Sequence, residues 1–192
     1  MKIVIVYNHP YEKSFCHALL TKTKEDALKS GHEVDIIDLI SDGFNPVMRS
    51  EDLLGFIKHK PADSLVVEYI NRIKLADYLI FIFPIYWELM PAMMKVFFDK
   101  VLCPGAFFNY KKSGFGMYNL MSNLKKVTII TTMNTPKLIY RLIYGNALKY
   151  ALVKGTFKKI GIKNVDWISF NMVKFSSKEK REKWLNKDLL KI

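Results

Sequence analysis

Cysteine is scarce in this chain: Cys16 and Cys103 are the two among 192 residues. A disulfide framework is therefore not what holds so large a domain together. The readings left are two buried thiols or a redox pair. Long apolar runs are missing too. The longest, Tyr78 to Trp87, is interrupted by Pro84 and falls far short of the roughly 20 residues a membrane span needs. The opening run, Met1 to Tyr7, is too short for the apolar region of a secretory leader. Asn8-His9-Pro10 ends it, and no small-residue cleavage site follows. A cytoplasmic protein without a membrane span is expected. The four histidines, His9, His17, His32 and His59, have no metal-ligand spacing with the cysteines. The sequence has no G-x-G-x-x-G, no G-x-x-x-x-G-K-[ST] and no G-x-S-x-G, so neither a dinucleotide fingerprint, a P-loop nor a hydrolase elbow is supported.

Acidic residues are few against basic ones, 18 to 30, giving a formal net charge of +12. Such a charge attracts nucleic acid, anionic membranes or anionic small molecules. Its densest run, Lys178 to Lys183, also holds Glu179 and Glu182, which reads first as a solvated helix face. No nucleic-acid-binding motif accompanies the charge, so a nucleic-acid partner is not expected.

Apolar and aromatic residues are plentiful, at 50% and 14%, enough for one well-filled domain across residues 1–192. Lys2–Tyr7 is a short Ile/Val-rich run and reads as a buried strand. The patterning then predicts a helix over Phe15–Lys29, with Ser14 as N-cap and Gly31 as its stop. Strands follow at Glu33–Leu39, Tyr78–Phe83, Lys126–Thr132 and Val165–Phe170. Tyr78–Phe83 is apolar on both faces, as a central parallel strand should be. Further helices are predicted over Pro61–Leu75, from Pro91 through Val101, over Lys137–Ile160 and over Lys178–Leu190. Ser41–Ser50 reads as a loop and Cys103–Asn123 as irregular. This alternation implies an α/β fold: a five-stranded parallel sheet with helices on both faces.

In such a sheet ligands sit beyond the carboxyl ends of the strands, where the strand order reverses. With order 2-1-3-4-5 that point lies between the first and third strands. Three loops meet there: Asn8–Ser14, Pro84–Leu89 and Met133–Lys137. The first leads into a helix N-terminus that favours a phosphate, with His9 and Ser14 as added donors; alternatively, Ser14 is an N-cap and nothing more. The second keeps large aromatics directly after a central strand. A planar cofactor packs well on such rings; the alternative is that Tyr86 and Trp87 fill a core. The third offers Thr131, Thr132 and the start of the next helix.

At these loops the sequence resembles the NAD(P)H:quinone oxidoreductase family, which includes the DT-diaphorase-like and modulator-of-drug-activity-like flavoproteins. The matching stretches are His9 to Phe15, Asp38-Leu39 with Phe44-Asn45-Pro46, and Ala76-Asp77 through Phe83-Pro84-Ile85-Tyr86-Trp87. The last continues through Met90-Pro91-Ala92, Lys95 and Phe98-Asp99-Lys100-Val101 to Phe107-Phe108-Asn109-Tyr110. Thr131-Thr132 matches as well. The resemblance implies a flavodoxin-like fold, a bound flavin (FMN or FAD), NAD(P)H as electron donor, a quinone-like acceptor and a homodimer. Carried over by position, His9, Ser14, Phe15 and Cys16 would hold the flavin phosphate region. Pro84, Ile85, Tyr86, Trp87 and Glu88 would line the isoalloxazine. Thr131, Thr132, Met133 and Asn134 would contact its other end and the ribityl chain. Two departures stand out. Met133-Asn134 replaces a glycine pair usual in the family, and no histidine follows where relatives carry a Tyr and a His. Tyr140 and Tyr144 are the nearest candidates for a catalytic donor. The resemblance leaves two rival classes in play, a substrate-free electron-transfer flavodoxin and a non-catalytic regulatory subunit.

Overall fold

A computed structural model describes residues 1–190 of the chain. Its main sheet has five parallel strands: β1 (Lys2–Tyr7), β2 (Glu33–Asp38), β3 (Tyr78–Pro84), β6 (Lys126–Thr132) and β7 (Val165–Phe170). They lie in the order β2-β1-β3-β6-β7. Counted without the short strands β4 (Phe108–Tyr110) and β5 (Met117–Asn119), this is the expected 2-1-3-4-5 order. β4 and β5 form a separate antiparallel pair inside the segment read from sequence as irregular. They are three residues each, too short for an alternating pattern to declare itself.

The strand side chains divide between two cores, one on each face. Ile3, Ile5, Ile80 and Ile82 pack beneath α1 (Phe15–Lys29), with Trp184 and Leu185 of α6 (Lys178–Leu185) against the same cluster. Val4, Val6, Phe81 and Phe83 pack on the other face beneath α3 (Ser64–Lys74), α4 (Ala92–Val101) and the π-helix Lys149–Lys158. Helices therefore cover both faces. All seven residues of β3 are buried, which is why its sequence shows a continuous apolar run rather than an alternation. The second core is rich in rings. Phe81 lies 5.0 Å from Phe98, 5.5 Å from Phe157 and 6.2 Å from Phe97, centroid to centroid. Truncating such a ring to alanine costs about 3–5 kcal/mol.

Helix boundaries differ from the sequence reading at three places. α2 (Ser50–Ile57) falls in a stretch given no helix. Its start is stabilised by Asp52, whose carboxylate accepts from the Arg49 backbone N–H at 2.9 Å. Its docking depends on Lys100 of α4, a buried ammonium 3.1 Å from Asp52. The helix expected over residues 137–160 is two elements. α5 (Lys137–Leu142) stops early, and the chain turns through Gly145 and Asn146, both at positive φ, before the π-helix begins. The last helix ends at Leu185; Tyr78 then anchors the chain, its hydroxyl donating to the Leu190 carbonyl at 2.7 Å.

Candidate functional site

The carboxyl ends of β1, β3 and β6 bring the three predicted loops to one edge of the sheet. At the first, the Asn8 backbone N–H donates to Ile82 at 3.1 Å, so β1 and β3 stay paired to their ends. Ser14 caps α1, its Oγ accepting from the His17 N–H at 3.1 Å. The N–H groups of Phe15 and Cys16 belong to the first turn, which has no intrahelical acceptors, and the positive end of the helix dipole adds to their pull on an anion. His9 accepts from the Tyr11 N–H through Nδ1 at 3.0 Å, so its neutral ring carries the proton on Nε2. Burial holds its pKa below the ordinary 6.5. Cys16 is buried beneath this loop, and burial pushes its thiol up to about 12 despite a hydrogen bond with Thr132. It is a packing thiol.

The second loop departs furthest from ordinary backbone. Tyr86 and Leu89 exchange N–H···O bonds of 2.9 and 3.1 Å, closing a tight turn on Trp87 and Glu88. Those two residues have φ of +48° and +66°. Two consecutive left-handed residues define a type I′ turn, which asks for Asn-Gly. A Trp and a Glu here are strained, and such strain collects at functional sites. Trp87 is 99% exposed; it fills no core, which removes the alternative reading of that ring. Tyr86 is half-exposed, Ile85 half-buried and Pro84 buried.

The third loop clasps the second. The Ile85 N–H donates to the Thr132 carbonyl at 2.8 Å. Thr135 donates through its hydroxyl to Glu88 Oε1 at 2.7 Å. The buried Tyr140 hydroxyl donates to the Glu88 carbonyl at 2.8 Å and accepts from the Leu148 N–H at 2.9 Å. Its hydrogen is thus engaged in holding the turn, whereas Tyr144 is half-exposed. Thr131 is fully buried and accepts from the Trp167 indole N–H at 2.9 Å. Met133 and Asn134, standing where a glycine pair was expected, have no left-handed φ to satisfy. The Met133 side chain joins the ring-rich core, and exposed Asn134 accepts from the Lys174 N–H through Oδ1 at 2.9 Å. Neither needs glycine's freedom.

Among the described residues, four buried side-chain polar atoms lack a hydrogen-bond partner: Tyr7 Oη, Asn8 Nδ2, Glu88 Oε2 and Asn146 Oδ1. The first three sit at the carboxyl ends of β1 and β3. Ser14 and Cys16 lie near the Tyr7 hydroxyl, and Asp38 and Glu12 act on it electrostatically, yet none of the four makes a bond of standard geometry with it. An unpaired buried polar group costs about 1–3 kcal/mol, so natural chains keep few without a reason. The partners these atoms call for are acceptors for Tyr7 and Asn8 and a donor for Glu88. A flavin has both: ring and phosphate oxygens that accept, and one ring N–H that donates. Tyr7, Asn8 and Thr135 were not singled out from sequence. Their signal is tertiary, since each matters through what the sheet sets beside it.

Residues 1–191 match the family model described as a flavodoxin-like fold. The chain belongs to this family. A curated relative is the mouse ribosyldihydronicotinamide dehydrogenase [quinone], 29% identical over 201 residues, covering 94% of this chain and 86% of that protein. A crystal structure from Streptococcus mutans is 32% identical with a TM-score of 0.82, covering 96% of this chain and 95% of the other. The NAD(P)H:quinone oxidoreductase from Methanothermobacter marburgensis is 24% identical with a TM-score of 0.84, covering 96% and 93%; at that identity it speaks for the fold alone.

As a flavodoxin-like protein the chain has its reversal of strand order between β1 and β3, where the orphaned atoms and the strained turn lie. No three His, Cys, Asp or Glu side chains among the described residues cluster as metal ligands. No helix among them is long and apolar enough to cross a membrane.

Proposed function

We propose that this chain is a flavin-dependent NAD(P)H oxidoreductase that delivers hydride to a quinone or similar small acceptor. The observation that carries the reading is that three orphaned polar atoms and an exposed indole on a strained turn all belong to the segments ending β1 and β3, at the reversal point of the sheet. The mouse relative's name points the same way. A flavin, when bound, supplies the hydride chemistry; the chain's residues bind, orient and shield. The first-turn N–H groups of Phe15 and Cys16, with His9 and Ser14, hold the phosphate. Pro84, Ile85, Tyr86, Trp87 and Glu88 line one side and edge of the ring. Thr131, Thr132, Met133 and Asn134 border its other end. Tyr140 acts through Glu88, fixing the turn, and Tyr144 is the free hydroxyl that donates to the acceptor. The +12 charge draws anionic NAD(P)H towards the protein.

The working form in this reading is a cytoplasmic homodimer. Exposed Leu138, Leu142 and Ile143 on and after α5 support a covered surface beside the site. Two free buried thiols suit a reducing compartment.

The test is an absorbance spectrum of the flavin-reconstituted protein under anaerobic conditions. Flavin bands should bleach on NAD(P)H and return on adding a quinone; the released cofactor then distinguishes FMN from FAD. A chain that retains no flavin, or bands that ignore both additions, would refute the reading.

A further inference from the structure

The fourth orphaned atom, Asn146 Oδ1, lies elsewhere. Its residue lines a cavity of about 400 Å³ between the edge strand β7, the end of α5 and the π-helix, within the roughly 300–1,000 Å³ range of small-molecule sites. Its wall is basic: Lys137, Arg141, Lys149 and Lys158. None of these four has an ion-pair partner among the described residues. The one acid on the wall, Asp166, is paired with Lys126 at 3.3 Å. Four unpaired cations round one concavity repel each other, and a multiply charged anion relieves that repulsion.

Charge is not the whole description. Trp167 lines the cavity and is half-buried, although β7 is an edge strand with room for a polar residue. Its ring is fixed by the bond to Thr131 and an edge contact with Tyr140 at 5.8 Å. A fixed, partly open indole is a platform for a flat group. Asn146 is held at φ +54° by the end of α5, where its N–H donates to the Tyr140 carbonyl at 2.9 Å. Its Oδ1 needs a donor such as a hydroxyl or amine.

We propose that this cavity is a second ligand site, taking a phosphate-bearing nucleotide. Phosphate answers the four cations, the base answers Trp167, and ribose hydroxyls or an exocyclic amine answer Asn146. A simple carboxylate answers the first demand only in part and the others not at all. The nucleotide has two sources: the phosphorylated end of the nicotinamide donor, or a free nucleotide acting from beside the site. Tyr140 joins the two regions, lining the cavity and holding the Glu88 carbonyl with its hydroxyl.

Calorimetric titration with adenosine 2′,5′-bisphosphate and with 5′-AMP, at low salt, tests this. The wild type is compared with the double variant Arg141→Ala/Lys149→Ala. Both side chains are exposed, so the fold and flavin content should not change, and Lys149→Arg should bind as the wild type does. At least one probe should bind the wild type at least tenfold more tightly than the double variant, and the affinity should fall as salt rises. A KM for NADPH that rises in the double variant while that for NADH stays constant assigns the phosphate to the donor. Unchanged values for both, with the probe affinity lost, assign it to a free nucleotide. Equal affinity of wild type and double variant for both probes, or no binding by either, overturns the proposal. The titration runs whether or not flavin is held, so its failure is separate from failure of the oxidoreductase reading.

Discussion

Trp87 concentrates the conflict between stability and use. A left-handed backbone costs a residue with a Cβ about 1–2 kcal/mol, and the exposed ring returns nothing in core packing. Asparagine tolerates that conformation. Trp87→Asn should therefore raise the melting temperature by about 2–4 °C for each kcal/mol relieved, while quinone turnover falls at least tenfold. Thermal melts and steady-state kinetics on the same preparation check both halves. Glu88 would not behave this way, because its side chain also holds Thr135. His9 gives a second prediction at this scale. Burial lowers its folded pKa, so between that lowered value and 6.5 the unfolded chain binds more protons than the folded one. Its contribution to stability is therefore complete above that window and is lost as pH falls through it. The melting temperature of flavin-free wild type should drop relative to His9→Asn as the pH is taken down from neutral through 6.5 and below. A constant difference would mean that His9 is not desolvated.

At the scale of elements, the strands were legible because burial writes itself into them. β3 is apolar at every position and β1 nearly so. α1 was legible from Ser14 and Gly31, which begin and end it. α2 was not, because the buried partner of its Asp52 is Lys100, fifty residues after its first serine. The π-helix was read as part of a longer α-helix because the two differ by one residue in hydrogen-bond spacing, a difference composition does not record. Gly155 does record it. A Cβ there would lie 2.9 Å from the Tyr150 carbonyl oxygen, five residues back. Alanine is ordinarily about 1 kcal/mol better than glycine inside a helix. Here the clash should reverse the sign, so Gly155→Ala should lower the melting temperature and disturb the cavity lined by Lys149 and Val153. A higher melting temperature would mean that the segment relaxes into an α-helix without loss.

For the whole molecule, the site is half legible for one reason. Loops named from topology alone did converge, since a parallel sheet puts all its carboxyl ends on one edge. Thr135 and Trp167 escaped because their roles come from register: β7 sets Trp167 beside Thr131, and the third loop sets Thr135 beside Glu88. Leu138, Leu142 and Ile143 are 68%, 79% and 71% exposed, next to half-exposed Tyr144. An apolar strip of this kind, bordering a site that faces solvent, is what a second copy would cover. Sedimentation should give a dimer at micromolar concentration. Leu142→Glu places a charge in the strip without touching either core, and should shift the protein towards monomer. If the partner completes the site, turnover per chain should fall with the dimer fraction as the variant is diluted, and concentrating it should restore the rate. A monomeric wild type, or a variant whose turnover per chain is indifferent to dilution, would put the whole of the site on one chain. Trp87 would then meet its acceptor without help from a neighbour.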